Sequence, residues 1–506
     1  MKIAKENTIV QVICETAEIH SLRPYLKPTT KMNAGSGVII DSQKGIIITN
    51  AHVVGNSMMI QAFSPITGKM PLRCELVSII RDKDLSLIRI IEEDRQQLLS
   101  LKDSTQLDAQ MVDHLTIPQG TQLYAAGFPL GTRLLQITSG CLSGLSTPDS
   151  FIRITQCEDS YARDSTFIAT SAGLNFGMSG GGLFTEKGEL VGIITAGLPS
   201  ANQIGYAIPS RVIYANYLLM MHNLIPRLPT FNIRWSNVNQ STFDFLVTSP
   251  PTKGGDKKTG ACKGVLIRKI LPDSIFNDVL EEGDLLFEIN FTLPSTSPDC
   301  LKNAQNMEAE GITVTGCIEP HGDVTLHDGK TKKPLFDRKF SLTEISDYIA
   351  YGSDITIHFI RRKKKYEKTV QNLYKKSQRI RGIYPLLENL NWMIIGGICI
   401  QDITLNTIAE CPRYKYIDEN YYYDEFLFTP SIIITHVSPS SSIGSLNLFN
   451  EGDILTHLNG KKVNTIKDVK DILSALMENG EHGFVTIKSD RKHFTVLNLD
   501  LKGDAS

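Results

Sequence analysis

No stretch of the chain comes near the roughly 20 consecutive apolar residues that a membrane-spanning helix needs. Trp392-Met-Ile-Ile-Gly-Gly-Ile-Cys-Ile is the closest approach. The N-terminus also lacks the sustained apolar core of a signal peptide, because Glu6 and Asn7 interrupt it. Strong charge of either sign is missing too. With 54 acidic and 52 basic side chains the formal charge is −2, so no overall field points to nucleic acid or an anionic membrane as the main partner. The nine cysteines (Cys14, Cys74, Cys141, Cys157, Cys262, Cys300, Cys317, Cys399 and Cys411) stand singly, with no Cys-x-x-Cys. An odd, unpatterned set argues against a disulfide framework and offers no metal-ligand spacing. These absences predict a soluble intracellular protein of the cytoplasm or a reducing organelle, with no metal site.

What is present begins with length. At 506 residues the chain is too long for one ordinary core and suggests about three domains. Residues 1–225 read as short alternating strands punctuated by glycine and Asn, Asp or Ser turns, such as Gly45-Ile-Ile-Ile-Thr, Leu85-Ser-Leu-Ile-Arg-Ile and Leu190-Val-Gly-Ile-Ile-Thr. That pattern predicts an all-β barrel or sandwich, closed by a helix over about Ser210 to His222. Pro226 to Pro229 makes a linker.

Beyond it lies an internal repeat. Gly264-Val-Leu-Ile-Arg-Lys-Ile-Leu-Pro272 followed by Glu282-Gly283-Asp284 recurs as Ile432-Ile-Ile-Thr-His-Val-Ser-Pro439 followed by Glu451-Gly452-Asp453. Each copy precedes a capping-box start, at Ser341 to Glu344 and at Thr465 to Asp468. Two small α+β domains are predicted, over 226–380 and 381–506. The first carries an insertion at about 294–334, read as an assembly element or a long mobile loop. The basic run Arg361 to Lys365 reads as a solvated hairpin turn.

The chemistry concentrates in Gly177-Met178-Ser179-Gly180-Gly181. Glycines on both sides leave the Ser179 hydroxyl uncovered and let backbone N–H groups converge on one point, as stabilising a tetrahedral oxyanion requires. A serine needs a base, commonly a histidine held by a buried carboxylate. Of eleven histidines, His52 follows a glycine-bounded strand where the chain turns. The carboxylate is Asp82 or Asp84; Asp84 immediately precedes an apolar strand and should be the more buried.

In order, Gly35-Ser36-Gly37-Val38, Thr49-Asn-Ala-His52-Val-Val, Asp84-Leu-Ser-Leu, Gly127-Phe-Pro-Leu-Gly131, Thr138-Ser-Gly-Cys-Leu-Ser143, Gly177-Met-Ser179-Gly-Gly and Gly205-Tyr-Ala-Ile-Pro-Ser210 resemble the motif series of the HtrA/Deg serine proteases. The repeat more loosely resembles the plant Deg subgroup with two PDZ modules. The resemblance implies a mainly β fold, with a chymotrypsin-like double β-barrel followed by two PDZ-like α+β domains. His52 would be general base, Asp84 its orienter and Ser179 the nucleophile, with the oxyanion hole at Gly177, Met178 and Ser179. Met178 and Gly182 depart from the usual asparagine and proline, and Gly182 is expected to loosen the loop. Gly173 stands where trypsin-like enzymes carry an aspartate, so Gly173, Leu174, Phe176, Ile193, Ile194, Thr195 and Ala196 would line an uncharged pocket.

A PDZ-like module would hold a peptide carboxylate on the loop Ile395, Gly396, Gly397 and Ile398. In the first copy, Asn232 of Thr230-Phe231-Asn232-Ile233 replaces the usual glycine. The function implied is an ATP-independent serine endopeptidase acting on polypeptide substrates, needing no cofactor and assembling as a trimer or a multiple of it. A chaperone or peptide-binding scaffold on an inactive protease fold is the alternative from another class. A processing protease with one substrate fits the same residues.

Overall fold

The computed structural model describes residues 6–101, 107–146, 166–197, 204–247, 261–296, 311–411, 427–478, 483–491 and 494–499. Six antiparallel strands form a first closed barrel: β1 (Ile9–Glu18), β2 (Thr29–Asp41), β3 (Ile46–Thr49), β4 (Ser57–Phe63), β5 (Leu72–Ile80) and β6 (Leu85–Ile90), in the order β1-β2-β3-β6-β5-β4. A second barrel runs β10-β11-β12-β9-β8-β7, from β7 (Gln122–Gly127), β8 (Gln136–Ser146), β9 (Phe167–Thr170), β10 (Gly182–Thr185), β11 (Leu190–Gly197) and β12 (Gly205–Pro209). The fold is the expected chymotrypsin-like double barrel. Isoleucine-rich β3 is buried along its whole length because both of its faces are covered.

The helix Ser210–His222 closes the second barrel. Its Ile213, Tyr217 and Met220 belong to one apolar cluster that runs from the barrels into the next domain. That domain holds β13 (Ile233–Ser236), β14 (Val265–Ile270), β15 (Leu285–Leu293), β16 (Ile312–Ile318), β17 (Asp323–Asp328), β18 (Phe340–Ser341), β19 (Asp354–Arg361) and β20 (Lys364–Gln371). Consecutive strands β13 to β18 pair in order, β19 also pairs with β15, and β20 pairs with β19. The last domain comprises β21 (Trp392–Ile395), β22 (Ile398–Asp402), β23 (Ile432–Val437), β24 (Ile454–Leu458), β25 (Lys461–Lys462), β26 (Gly483–Ser489) and β27 (Phe494–Leu499), ordered β21-β22-β23-β24-β26-β27 with β25 on β24.

The repeat units share a plan but differ in detail. In both, the glycine of the Glu-Gly-Asp turn takes a left-handed φ of 92°, which only glycine adopts without strain. After the proline the first copy makes turns and a single bridge from Ser274 to Thr230, whereas the second forms a helix at Ser442–Leu446. The capping starts diverge as well. Thr465 and Asp468 satisfy each other reciprocally (Asp468 N–H to Thr465 Oγ1, 3.3 Å; Thr465 N–H to Asp468 Oδ2, 2.9 Å) and open the 13-residue helix Ile466–Glu478. Ser341 caps only the five-residue helix Leu342–Ser346, because the Glu344 carboxylate turns away to Arg338 and Tyr348.

The described part of the 294–334 insertion is not a loose loop. Residues 312–318 and 323–328 are β16, paired with β15, and β17, paired with β16, and a side chain at Gly316 would meet Ile289 and Val324 at about 3 Å. The basic run is the β19–β20 turn, with Arg362 and Lys363 both at positive φ.

Candidate active site

Asp84 follows a 3₁₀ turn, Arg81–Lys83, and itself adopts the left-handed conformation (φ 51°). Asp82 therefore sits within the turn, and the two aspartates do not share a strand face. The Asp84 carboxylate is 6% exposed and accepts three hydrogen bonds: from the His52 N–H (3.0 Å), from His52 Nδ1 (2.9 Å) and from Thr195 Oγ1 (2.5 Å). Its main-chain carbonyl accepts from Asn50 Nδ2 and the Ala51 N–H, which pins the one-turn helix Ala51–Val54 carrying His52. Asn33 Nδ2 donates to the His52 and Val53 carbonyls at the other end of that turn.

The imidazole is thus fixed in one orientation, with Nδ1–H on the carboxylate and Nε2 left for chemistry. Burial pulls the His52 pKa down, but the charge of Asp84 and its hydrogen bond outweigh that, so the net position lies above the ordinary imidazole value.

Ser179 lies between the barrels. Its carbonyl accepts the Ser36 N–H (2.7 Å) and its Oγ donates to the Thr195 carbonyl (3.0 Å). Thr195 thereby touches both halves of the constellation, through its hydroxyl to Asp84 and its carbonyl to Ser179. Among the described residues no hydrogen bond joins Ser179 Oγ to His52; such bonds tighten when substrate is bound. Gly180, at φ 84°, faces the first barrel so closely that a Cβ would lie 2.0 Å from the Ser36 carbonyl oxygen.

The loop before the serine is ordered by its carbonyls. Phe176 C=O accepts the Leu130 N–H (2.6 Å) and Gly177 C=O accepts Ser36 Oγ (2.8 Å), while Phe128 N–H donates to that same Ser36 Oγ (2.8 Å). A trans peptide sends its N–H opposite its C=O. The Gly177 N–H consequently points away from the Leu130 turn, and among the described residues neither it nor the Ser179 N–H donates to a protein acceptor. The Met178 N–H is taken by the Asn175 carbonyl (3.0 Å), which leaves the Gly177 and Ser179 N–H groups for an oxyanion.

Both unusual residues of the loop have a packing reason. Met178 is buried in the second-barrel core with Leu123, Leu183 and Ile194. Gly182 is not a loosening element: it is the first residue of β10, paired with Ala126 and Ile193, and a Cβ there would meet the Phe184 ring at 2.3 Å.

The expected pocket assembles only in part. Ile193 and Ile194 are sealed in barrel cores and line nothing, because β11 is covered on both faces. Thr195 is spent on Asp84, and the Ala196 side chain lies outside the described residues. Gly173 does face open space, with Leu174 half-buried against Gly205, while Phe176 stands 79% exposed at the rim. Thr195, expected in the pocket, instead bonds the carboxylate, and Ser36, legible in the sequence only as part of a motif, clamps the loop.

The peptide-carboxylate loop is a tight hairpin turn. Gly396 and Gly397, both at positive φ, join β21 to β22 with Ile395 paired to Ile398. The outer edge of β22 is therefore filled by the chain's own β21, with β23 on its other side. Asn232, at φ 32°, is tied to Asp273 through Nδ2 (2.8 Å).

Residues 35–193 match the trypsin-like peptidase domain family. The chain is 29% identical over 264 residues to the periplasmic serine endoprotease DegP of Salmonella typhimurium, covering 51% of this chain and 48% of DegP. It thus spans about half the length of that relative. It is also 28% identical to the serine protease Do-like HtrA of Lactococcus lactis over 61% of this chain and 72% of HtrA, and 25% identical to serine protease HTRA1 of Xenopus tropicalis over 61% and 64%. A solved HtrA-type protease AlgW with decapeptide aligns over 74% of this chain and 97% of its own at 16% identity and a TM-score of 0.45.

Proposed function

We propose that the chain is a serine endopeptidase of the HtrA/Deg kind, with a Ser179–His52–Asp84 triad working on unfolded or extended polypeptides. The observation that carries this is Thr195, which joins the carboxylate–imidazole pair to the serine beside two undonated backbone N–H groups. Ser179 Oγ bonds to the scissile carbonyl carbon as its proton passes to His52 Nε2. The oxyanion takes the Gly177 and Ser179 N–H groups. His52 then protonates the leaving amine as the C–N bond breaks, and water repeats the sequence on the acyl-enzyme.

Because the base must be unprotonated and its pKa is raised, kcat/KM should climb with pH through a value above the ordinary imidazole 6.5. A fluorophosphonate should label wild type and not Ser179→Ala; wild type without labelling at any pH ends the proposal. Gly173 with open space in front of it supports cleavage after small or medium apolar residues, and a preference for lysine or arginine would refute that specificity. The two-module layout supports a place beside plant-type Deg proteins. With β22 edged by β21 and β23, the second module has no free edge on that strand for a peptide to add to.

A further inference from the structure

The imidazole that protonates the leaving amine must face the first residue beyond the scissile bond, so the rest of the leaving segment starts its path at His52. An open trough of about 830 Å³ begins there. One wall is the end of the first barrel, with Glu18, Thr29, Lys31 and Asn33; the opposite wall is the second C-terminal domain, with Asn406 and Glu410. The 19–28 loop closes the far side, and that domain holds it firmly.

Ser21 Oγ donates to Glu410 (2.8 Å), Gln401 Nε2 donates to the Ser21 carbonyl (2.6 Å), and Leu22 is buried with Ile403, Leu405 and Ile408. The Tyr25 ring lies 6.2 Å from those of both Trp392 and His436. Glu410 remains 46% exposed toward the trough, whereas Glu18 on the other wall is paired with Lys31 (3.1 Å) and Lys27 also lines the trough, so Glu410 is the carboxylate left to meet a substrate side chain.

We propose that this trough binds the polypeptide segment on the leaving side of the scissile bond, and that the second C-terminal domain is one of its walls. The inference rests on the protease reading above. The second domain then selects substrate by the side chains beyond the cut, with Glu410 favouring a basic side chain in that segment over an acidic one.

Quenched peptides identical up to the cleaved bond, extended by six residues containing either lysine or glutamate, test it against an activated ester that has no leaving-side residues. Wild type should prefer the lysine peptide. Glu410→Lys should move the lysine-to-glutamate ratio of kcat/KM by about 3- to 10-fold toward glutamate, with Glu410→Gln, which keeps an oxygen for Ser21, in between. Thr29→Trp should lower the ratio of long-peptide to ester kcat/KM by about tenfold. Ratios that stay at wild-type values in both Glu410→Lys and Thr29→Trp overturn the proposal. Failure of wild type to hydrolyse the ester overturns the protease reading itself, and this inference with it.

Discussion

In the first C-terminal domain the turn aspartate Asp284 is 1% exposed and meets Arg361, which is itself only 21% exposed. In the second, Asp453 is equally buried, but its partner Arg491 is 45% exposed. The aspartate is thus buried in both copies, while its arginine is largely covered in one and open to water in the other.

Attachment to the barrels differs in the same direction. The first domain docks through buried polar groups. Arg211 pairs with Asp113 and reaches the Pro294 carbonyl, Lys83 pairs with Asp347 (2.5 Å), and His114 Nε2 lies 3.3 Å from the Tyr348 hydroxyl, which itself donates to Glu344. The second docks through buried Leu22, the ring of Tyr25 and Tyr384, together with hydrogen bonds from Gln401 to the Ser21 carbonyl, from Ser21 to Glu410 and from Arg81 to the Ile383 carbonyl. Buried polar contacts require a single geometry, since any shift leaves a desolvated group unpaired, whereas apolar contacts tolerate sliding. The first copy's ion pair to the barrels, Lys83 with Asp347, is largely buried on both sides, which makes that contact intolerant of movement.

The largest test of that contrast is removal of the turn carboxylates. Asp284→Ala removes the buried partner of Arg361, which keeps Glu281 and the Val279 carbonyl, and also the acceptor of the Glu281 N–H, and should cost about 3 kcal/mol in its domain. Asp453→Ala leaves an arginine that water can reach and should cost about half as much. Amide exchange in β15 and β24 reads the two effects separately, and equal losses would break the distinction. Next comes Leu22→Ala, expected to weaken docking of the second domain by about 2 kcal/mol. Exchange should rise at β22 and not at β14.

Acid sharpens the contrast from the other side. Burial first, then the Arg211 and Arg338 charges, hold the His114 pKa well below its ordinary value. Below about pH 6.5 the unfolded chain binds a proton that the native chain refuses. This contribution is intact above that pH and shrinks as pH falls, by at most about 1.4 kcal/mol per unit. Glu344, raised by burial, titrates with the opposite sign, so the difference between wild type and His114→Gln isolates the histidine. First-domain protection factors, which correct for the slower intrinsic exchange in acid, should fall between pH 7.5 and 5.5 in wild type and fall less in the variant. The smallest effect is that of Tyr25→Ala, about 0.5–1 kcal/mol from lost ring contacts, confined to the second domain.

Much of this architecture is legible in the chain. The glycine-bounded serine, the His52 turn, the repeat and the hairpin at Arg361 are local patterns, and local patterns depend only on neighbours in sequence. The features that escaped depend on register and layering. Ile193 and Ile194 look like pocket residues until β11 is seen covered on both faces. Ile395 to Ile398 looks like a binding loop until Trp392–Ile395 folds back as its partner strand. Gly182 looks loosening until the Phe184 ring occupies the space where its side chain would be. Residues 312–328 look like part of an assembly element or a long mobile loop because β15, the partner of β16, precedes a segment rich in proline and serine.

Ser36 has a consequence for how such a chain can change. Its N–H, carbonyl and hydroxyl make four hydrogen bonds: to the Ser179 carbonyl, from Thr49 Oγ1, to the Gly177 carbonyl and from the Phe128 N–H. Each tolerates displacement of only a few tenths of an ångström before it weakens. The spacing between a base on one barrel and a nucleophile on the other is therefore set locally, by one small residue. Connecting segments can lengthen, shorten or vary in composition without that spacing drifting.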